Sequence, residues 1–327
     1  MRPFEMILSE KLEGAIKAAH GGATVKAAGI DLLDRMKERV ESPKTIINLM
    51  PLSKQMSDIA AKGGDVVIGA LATLQEVADA TPLRGVVYAA LCAAAGEAAT
   101  PQVRNRATIG GNLLQKTRCW YLRSAGFSCA HDGKGLGCRA IDGENRYHAI
   151  MGYSDCARVH PSNVAPALIV LDAEVSIESN DGIRKVKVKD LYPKNPLASR
   201  PEHVVKDGEI LTQVRVPAQS AGTRSAYGES REKLSFDWAT TSAAVRLVMA
   251  GKTIQDASIC LSAVAPVPVI AADAAKLLKG KTASRKLFEQ AAERAFRDAK
   301  PLDKNGYKLP VGKAVLVDTL ATAAGVE

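Results

Sequence analysis

The sequence has no long apolar run and few aromatic side chains. Its longest apolar stretch, at 85–96, covers 12 of the 327 residues, whereas a helix that crosses a bilayer needs about 20. We therefore predict no membrane span. Aromatic residues make up 4% of the chain, against 46% apolar and 24% charged residues. These proportions exclude disorder on a large scale, and the length predicts two or three domains.

Blocks of like charge are also missing. Lysine and arginine outnumber aspartate and glutamate by 44 to 35, which gives a net charge of +9, but the two signs are interleaved along the chain. Nucleic-acid-binding proteins usually gather their basic residues in one patch, so we predict no nucleic-acid partner. A dispersed basic surface instead suits acidic protein partners or a bound anion such as a dinucleotide.

No secretory signal is visible, and neither is a set of catalytic side chains. Residues 1–20 contain three acidic residues and no apolar segment, so we predict a cytoplasmic protein without disulfides. Export together with a partner subunit that carries a twin-arginine signal stays open as an alternative. No nucleophilic triad or pair of carboxylates has a convincing spacing, and we predict no catalytic side chain.

Cysteine is unevenly distributed, because four of the six lie close together. Glycine is frequent between them and no apolar period is present, which predicts an irregular loop that a ligand holds in place. The tight Cys-x-x-Cys pair of zinc sites is missing, and ferredoxin spacings do not match. The spacing alone leaves an iron-sulfur cluster, a zinc site and unrelated thiols as open interpretations. Within 38 residues the four are Cys119, Cys129, Cys138 and Cys156.

The other cysteines and the nearby histidines receive simpler interpretations. Cys92 and Cys260 lie in apolar helix and strand patterns, as small core residues do. His131 and His160 flank the loop cysteines, but four cysteines already complete a metal site. We interpret both histidines as bystanders.

Two glycine-containing segments are candidates for binding an anion. In Thr108-Ile109-Gly110-Gly111-Asn112 the glycines let backbone N–H groups approach a ligand, and the flanking residues add short polar side chains. In Lys26-Ala27-Ala28-Gly29-Ile30-Asp31-Leu32 a predicted strand passes into a predicted helix, whose first N–H groups suit a phosphate. An ordinary turn is the alternative for the first segment, and a helix capped by Asp31 is the alternative for the second.

Taken together, these segments resemble the FAD-binding medium subunit of the xanthine dehydrogenase family of molybdenum hydroxylases. The similarity is to the branch that carries an extra 4Fe-4S cluster in an inserted loop, as in bacterial aldehyde oxidoreductases with separate subunits. The motifs that carry it run along nearly the whole chain: AAGIDLL at 27–33, ATIGGNLLQ at 107–115, CWY at 119, GxGC at 135–138, YHAI at 147 and CARVHPSNVAPAL at 156–168.

The resemblance implies an α+β fold with two domains. A FAD-binding domain of the PCMH/vanillyl-alcohol-oxidase-like type would span 1–220, with subdomains of about 1–55 and 56–220. A small α+β domain of the CO dehydrogenase flavoprotein type would span 225–327. The implied FAD site consists of the two glycine-containing segments together with Asn163, and the implied 4Fe-4S ligands are the four cysteines of the loop 117–157.

The chain departs from the family pattern at four positions. Ala28 stands where glycine is usual, Ile30 where threonine is usual, and Glu229 near the place of a flavin-adjacent lysine. Asn163 stands where the family has an aspartate near the flavin, and it is equally placed to cap the following helix.

The function implied by the resemblance is electron transfer within a complex. A large molybdopterin-binding subunit would oxidise the organic substrate, a small 2Fe-2S subunit would relay electrons, and this FAD and 4Fe-4S subunit would pass them to an external acceptor, as in a heterotrimer. Two alternatives stay open. One is a metal-stapled structural subunit that has lost flavin, and the other is a FAD oxidoreductase that acts alone.

Overall fold

A computed structural model describes residues 1–124, 126–133, 137–233 and 236–326. The strands in these residues are β1 Glu5–Leu8, β2 Thr24–Lys26, β3 Thr45–Asn48, β4 Ile59–Lys62, β5 Asp65–Gly69, β6 Glu174–Ser179, β7 Gly182–Lys187, β8 Ile210–Val216, β9 Thr223–Arg231, β10 Ala239–Ala250, β11 Thr253–Ser262 and β12 Val269–Ile270. The helices are α1 Leu12–His20, α2 Leu32–Lys37, α3 Ser53–Met56, α4 Leu74–Asp79, α5 Ala89–Gly96, α6 Pro101–Arg104, α7 Ile109–Leu113, α8 Val164–Val170, α9 Ala272–Leu278, α10 Arg285–Ala295 and α11 Lys308–Ala324.

The first sheet is a small parallel one with the strand order β1-β3-β2. Its register pairs Glu5 with Thr45 and Thr24 with Ile46. Parallel strands need crossover connections, and α1 provides the first of them. The side chains of Ala15, Ile16 and Ala19 form the buried face of this helix. Because the carboxyl ends of parallel strands share one edge, the segment that follows β2 emerges at that edge of the sheet.

The second sheet is antiparallel, in the order β4-β5-β8-β6-β7. Its strands alternate buried and half-buried positions, with Val175 and Ile177 of β6 inside beside Val214 of β8. The helix α8 shares the apolar core of this sheet and packs against α5, β10 and β11, and all seven of its residues are buried. The apolar core that this sheet shares with α8 is called the central core below, and it holds the start of α8 at Asn163 in place.

The third sheet carries the long antiparallel strands β9, β10 and β11, with the short β12 at its edge. Helices α9, α10 and α11 cover it, and their apolar residues, such as Phe288, Leu316 and Leu320, are fully buried. Tyr227 of β9 pairs with Ala244 of β10, which places the first half of β9 beside the central core.

Three local features of the structure differ from what the sequence pattern indicates. Pro82 follows Thr81 as at a helix start, but it lies in a 3-10 turn, and α5 begins at Ala89 after Gly85 with a φ of +101°. The segment 218–226, where the two implied domains meet, already contains the start of β9. Helix α11, of 17 residues, was not predicted.

No helix in the described ranges is long and apolar enough to cross a membrane.

Candidate functional site

The segment after β2 forms a half-buried loop with unsatisfied backbone donors. Gly29 has a φ of +86°, in the region that favours glycine. Within the described residues, the N–H groups of Ala28, Gly29, Ile30 and Asp31 donate to no protein acceptor. Backbone donors at such a place are usually satisfied by a ligand or water, so consecutive N–H groups suit an anion. The following helix α2 has only six residues, so its dipole adds little.

Asp31 ties this loop to the start of the cysteine-rich segment and does not cap α2, so the alternative cap interpretation is wrong. Its carboxylate accepts hydrogen bonds from Arg123 at 2.8 Å and from the Lys116 N–H at 3.2 Å, and it lies 3.0 Å from Arg118. Burial raises the pKa of Asp31, but the charges of Arg118 and Arg35 outweigh it, so the net pKa is below its ordinary value. The carboxylate is therefore ionised and anchored.

The paired glycines lie in α7, a single helical turn that Thr108 caps through its hydroxyl. The Gly110 N–H donates to Ala70 O at 2.9 Å, and the Gly111 N–H donates to Thr108 Oγ1 at 3.1 Å. The expected donation of these two groups to a ligand is therefore wrong. Gly110 instead permits close packing, since a Cβ there would lie 2.9 Å from Ala70 O. Gly111 is exposed, and its Cα is open to a bound molecule.

Asn112 links α7 to the start of α8. Its Oδ1 accepts a 2.6 Å hydrogen bond from Ser162, while its Nδ2 has no protein acceptor among the described residues. Ser162 in turn accepts from the Ala165 N–H at 3.1 Å and so caps α8. The cap interpretation of Asn163 is therefore wrong, because the neighbouring serine performs that role.

Asn163 instead bridges the central core to the third sheet. Its Nδ2 donates to Glu229 Oε2 at 3.0 Å and to the Tyr227 hydroxyl at 3.3 Å. The Tyr227 hydroxyl donates to Glu229 at 2.5 Å, and Arg231 pairs with the other carboxylate oxygen. Burial raises the pKa of Glu229 and is only partly offset by these partners. A neutral amide at 163 therefore fits beside a buried carboxyl where an aspartate would repel it.

A narrow cavity of about 40 Å³ opens beside this bridge, between α8 and the third sheet. The Arg118 guanidinium lies over the ring of Trp238, 4.6 Å from its centroid. Sequence reasoning singled out neither residue. The cavity is lined by Arg118, Val159, His160, Pro161, Ser162, Asn163, Tyr227, Trp238, Ala239, Ser242, Ser262 and Ala263. A larger cavity, of about 500 Å³, lies at the amino ends of β2 and β3 and contains none of the candidate residues.

The four loop cysteines lie near one another. Cys119 interacts electrostatically with Cys129 and Cys156, and burial raises its pKa to about 11. A hydrogen bond from Cys156 lowers the pKa of Cys138 to about 6, and the same bond raises that of Cys156. Gly135 of the GxGC motif lies outside the described residues, as do 125, 134 and 136 of the loop.

The metal role of these cysteines stays a prediction. In the ranges that the structure describes, no three His, Cys, Asp or Glu side chains are close enough to hold one metal ion. The other two cysteines lie elsewhere, as predicted: Cys92 donates to Leu83 O at 3.4 Å within the helical layer, and Cys260 is fully buried in β11.

The surroundings of the loop cysteines are rich in positive and donor groups. The Ala157 N–H donates to Cys138 Sγ at 3.4 Å, and backbone N–H groups also reach Cys119 and Cys156. Arg158 is 1% exposed and also reaches Cys156. Its guanidinium contacts Leu197 O at 3.4 and 3.5 Å, and the buried Glu202 carboxylate is near enough to interact with its charge. The positive charge beside Cys156 favours the thiolate form of that cysteine.

The histidines divide into two kinds. His131 contacts Ala198 O at 2.6 Å and Glu202 at 3.2 Å, and the His160 ring packs 4.4 Å from that of Tyr192. These protein contacts agree with their interpretation as bystanders. His148 was not singled out, although it lies within the YHAI motif, and its Nε2 is 3.2 Å from Cys119 Sγ.

Comparison with known proteins relates these features to a family. Residues 3–219 match the FAD binding domain in molybdopterin dehydrogenase, and residues 225–321 match the CO dehydrogenase flavoprotein C-terminal domain. The chain is 33% identical to the aldehyde oxidoreductase FAD-binding subunit PaoB of Escherichia coli (strain K12) over 306 residues, 92% of each chain. It is 27% identical to the carbon monoxide dehydrogenase medium chain of Hydrogenophaga pseudoflava over 282 residues, 86% of this chain and 80% of that one.

Solved structures share the fold. Carbon monoxide dehydrogenase from Hydrogenophaga pseudoflava matches with a TM-score of 0.77 and 24% identity over 99% of both chains. Quinoline 2-oxidoreductase from Pseudomonas putida 86 matches with a TM-score of 0.77 and 22% identity over 99% of this chain and 98% of that one. The predicted two-domain α+β flavoprotein fold is thereby confirmed. The chain belongs to the FAD-binding medium subunits of the molybdenum hydroxylase family, whose members are components of oxidoreductase complexes.

Proposed function

We propose that this chain binds FAD through residues 26–32 and 108–112 and Asn163, carries a 4Fe-4S cluster on its four loop cysteines, and transfers electrons within a molybdenum hydroxylase complex. The observation that carries the proposal is the run of unpaired N–H groups at 28–31 in a chain of the FAD-binding family. When bound, the flavin supplies reversible one- and two-electron transfer. The purified protein should contain one FAD per chain, measured by flavin release and absorbance.

The residues of the site hold and orient the cofactor. The N–H groups of 28–31 suit the pyrophosphate, and Asp31 keeps their loop against the segment 116–123. Gly111 is exposed and has no side chain, so the flavin can approach its Cα closely. Asn112 Nδ2 has no protein acceptor among the described residues and can donate a hydrogen bond to the flavin. The hydrogen bond between the half-buried Asn163 and Glu229 joins the third sheet to the start of α8 beside them. None of these groups needs to attack the organic substrate.

The cluster proposal is supported by the sulfur environment. The thiols lie within electrostatic reach of one another, backbone N–H groups donate to them, and Arg158 provides a buried positive charge. A four-iron cluster holds its thiolates further apart than a single ion does, and its anionic charge would pair with Arg158. Iron and sulfide analysis of anaerobically purified protein tests the proposal, and equimolar zinc would contradict it.

The partners and the domain division also belong to this proposal. We infer a large molybdopterin-binding subunit and a small 2Fe-2S subunit, because one relative is named a medium chain and another an FAD-binding subunit. The chain would then divide into domains 1–220 and 225–327, and an external acceptor would receive the electrons in the cytoplasm. Copurification with both subunits tests this. A flavin protein that purifies alone and turns over substrate would favour the stand-alone alternative.

The two glycines of α7 should respond differently to substitution. Gly111→Val is expected to lower FAD retention and to cost less thermal stability than Gly110→Val, because a Cβ there meets a side-chain atom, Thr108 Oγ1 at 3.0 Å, and no backbone. Gly110→Val should destabilise the fold, since its Cβ would lie 2.9 Å from Ala70 O. Melting temperature and bound flavin are measured for both variants. Full flavin occupancy in Gly111→Val would remove this segment from the site.

Glu229 should make stability depend on pH. Because its folded pKa is raised, the folded state binds the proton more tightly than the unfolded state, and stability falls as pH rises from about 4.5 through the raised pKa. Glu229→Gln keeps the shape and removes the titration. Urea unfolding across this range should therefore show that the free energy of unfolding of the variant rises relative to that of the wild type as pH increases. The same pH dependence in both proteins would contradict the burial of an ionisable group here.

A further inference from the structure

His148 belongs to the cysteine loop 117–157 and lies where this loop meets the C-terminal helix α11. It is 3% exposed, and its Nε2 is 3.2 Å from Cys119 Sγ. Its Nδ1 is buried without a hydrogen-bond partner. Among the described residues, only the Nε2 of this ring has an acceptor within reach, the Cys119 sulfur, so an N–H at Nε2 can donate to that sulfur.

The backbone of His148 is held by two fully buried side chains from the C-terminal domain. Lys308 Nζ donates to His148 O at 3.0 Å and to Ala263 O at 2.7 Å. Asn305 Nδ2 lies 3.2 Å from the same His148 oxygen and from the carbonyls of Asn145 and Ala149. The ring is further confined by Trp120, whose centroid is 5.3 Å away in an edge arrangement. The imidazole therefore has little freedom to turn from the sulfur.

We propose that His148 is a positioning residue for the cluster, because its Nε2–H donates to the Cys119 thiolate and raises the cluster reduction potential. This inference rests on the proposed 4Fe-4S site. A donor to a ligating sulfur stabilises the reduced cluster more than the oxidised one, since the reduced form places more negative charge on its sulfurs. The C-terminal domain thereby acts on the cluster potential through Lys308 and Asn305, although neither touches a cysteine.

The test compares the midpoint potential of the cluster in the full-length wild type and its variants. The potential is measured by redox titration, in which electron paramagnetic resonance follows the reduced cluster. His148→Phe keeps the ring volume and removes the donor, so its cluster should have a lower potential at unchanged iron content. His148→Gln, which retains an N–H, should recover part of the shift. His203→Phe is the matched control, because His203 also has a buried Nδ1 without a partner, and its potential should equal that of the wild type.

A second measurement needs no variant. In wild-type protein with nitrogen-15 in histidine, the reduced cluster should show spin-echo modulation from a histidine nitrogen. An unchanged potential in His148→Phe, or the lack of this modulation if that variant loses its iron, overturns the inference. A wild type without iron instead overturns the proposed cluster itself, so the two failures are distinguishable.

Discussion

Replacing any one of Cys119, Cys129, Cys138 or Cys156 by serine is expected to remove most of the iron from this protein. The wild type should contain about four irons and four sulfides per chain if the proposed cluster is present. Iron-sulfur clusters select soft thiolate ligands, and a serine oxygen replaces one of them poorly. Iron and sulfide analysis of anaerobically purified variants measures the effect.

The same variants should loosen the loop around the cysteines. Among the residues that the structure describes, its own apolar cluster is small and has Tyr121, Ala140, Ala149 and Ala157 as buried members. Limited proteolysis should therefore cut the variants faster than the wild type, within the loop 117–157.

Cys92→Ser and Cys260→Ser are the matched controls, since both lie in regular elements of the core. Their iron content should equal that of the wild type, although Cys260→Ser places a hydroxyl at a fully buried position and should lower stability. Iron loss confined to these controls, or zinc in place of iron in the wild type, would overturn the assignment.

Gly29→Val is expected to weaken FAD binding at least about tenfold, which corresponds to about 1.4 kcal/mol. The left-handed backbone at a φ of +86° is unfavourable for any residue with a Cβ, and more so for a β-branched one. The added Cβ would also lie 2.8 Å from Lys26 Cε and 2.9 Å from Leu33. The loop that presents the N–H groups of 28–31 would have to move. Flavin titration of the apoprotein measures the affinity.

Gly22→Val controls for backbone strain alone. Gly22 has a φ of +92°, and a Cβ there would meet no atom within 4 Å. This variant should lose some stability and keep its flavin affinity. Equal affinity in Gly29→Val and the wild type would mean that the loop with Ala28 and Ile30 does not contact the cofactor, whereas a wild type that takes up no flavin would favour the flavin-free alternative.

Local sequence patterns determined much of the fold and the position of the site. The apolar residues of β8, Ile210–Val216, alternate with polar ones, so the sequence pattern alone indicates a strand there. Gly29 was identified from a strand that passes into a turn, which is a local signal. Helix α11 was missed because its pattern includes Pro310 and Gly312, and packing against the third sheet stabilises it. Such tertiary stabilisation leaves no local signature.

The roles of individual site residues were decided by contacts between distant positions. Ser162 rather than Asn163 caps α8, and this follows from geometry that two adjacent polar residues do not reveal. Gly110 packs against Ala70, so it serves the fold where a ligand role was expected.

The sequence by itself determined which residue types gather around 104–163 and that their chemistry suits an anion and a metal cluster. Only the tertiary structure placed His148 against Cys119, 29 positions away, and Arg118 over the ring of Trp238. The physical reason is that side-chain hydrogen bonds and ring contacts act over a few ångströms in space. The folding of the C-terminal sheet and helices onto the first domain, and not spacing along the chain, determines which groups meet.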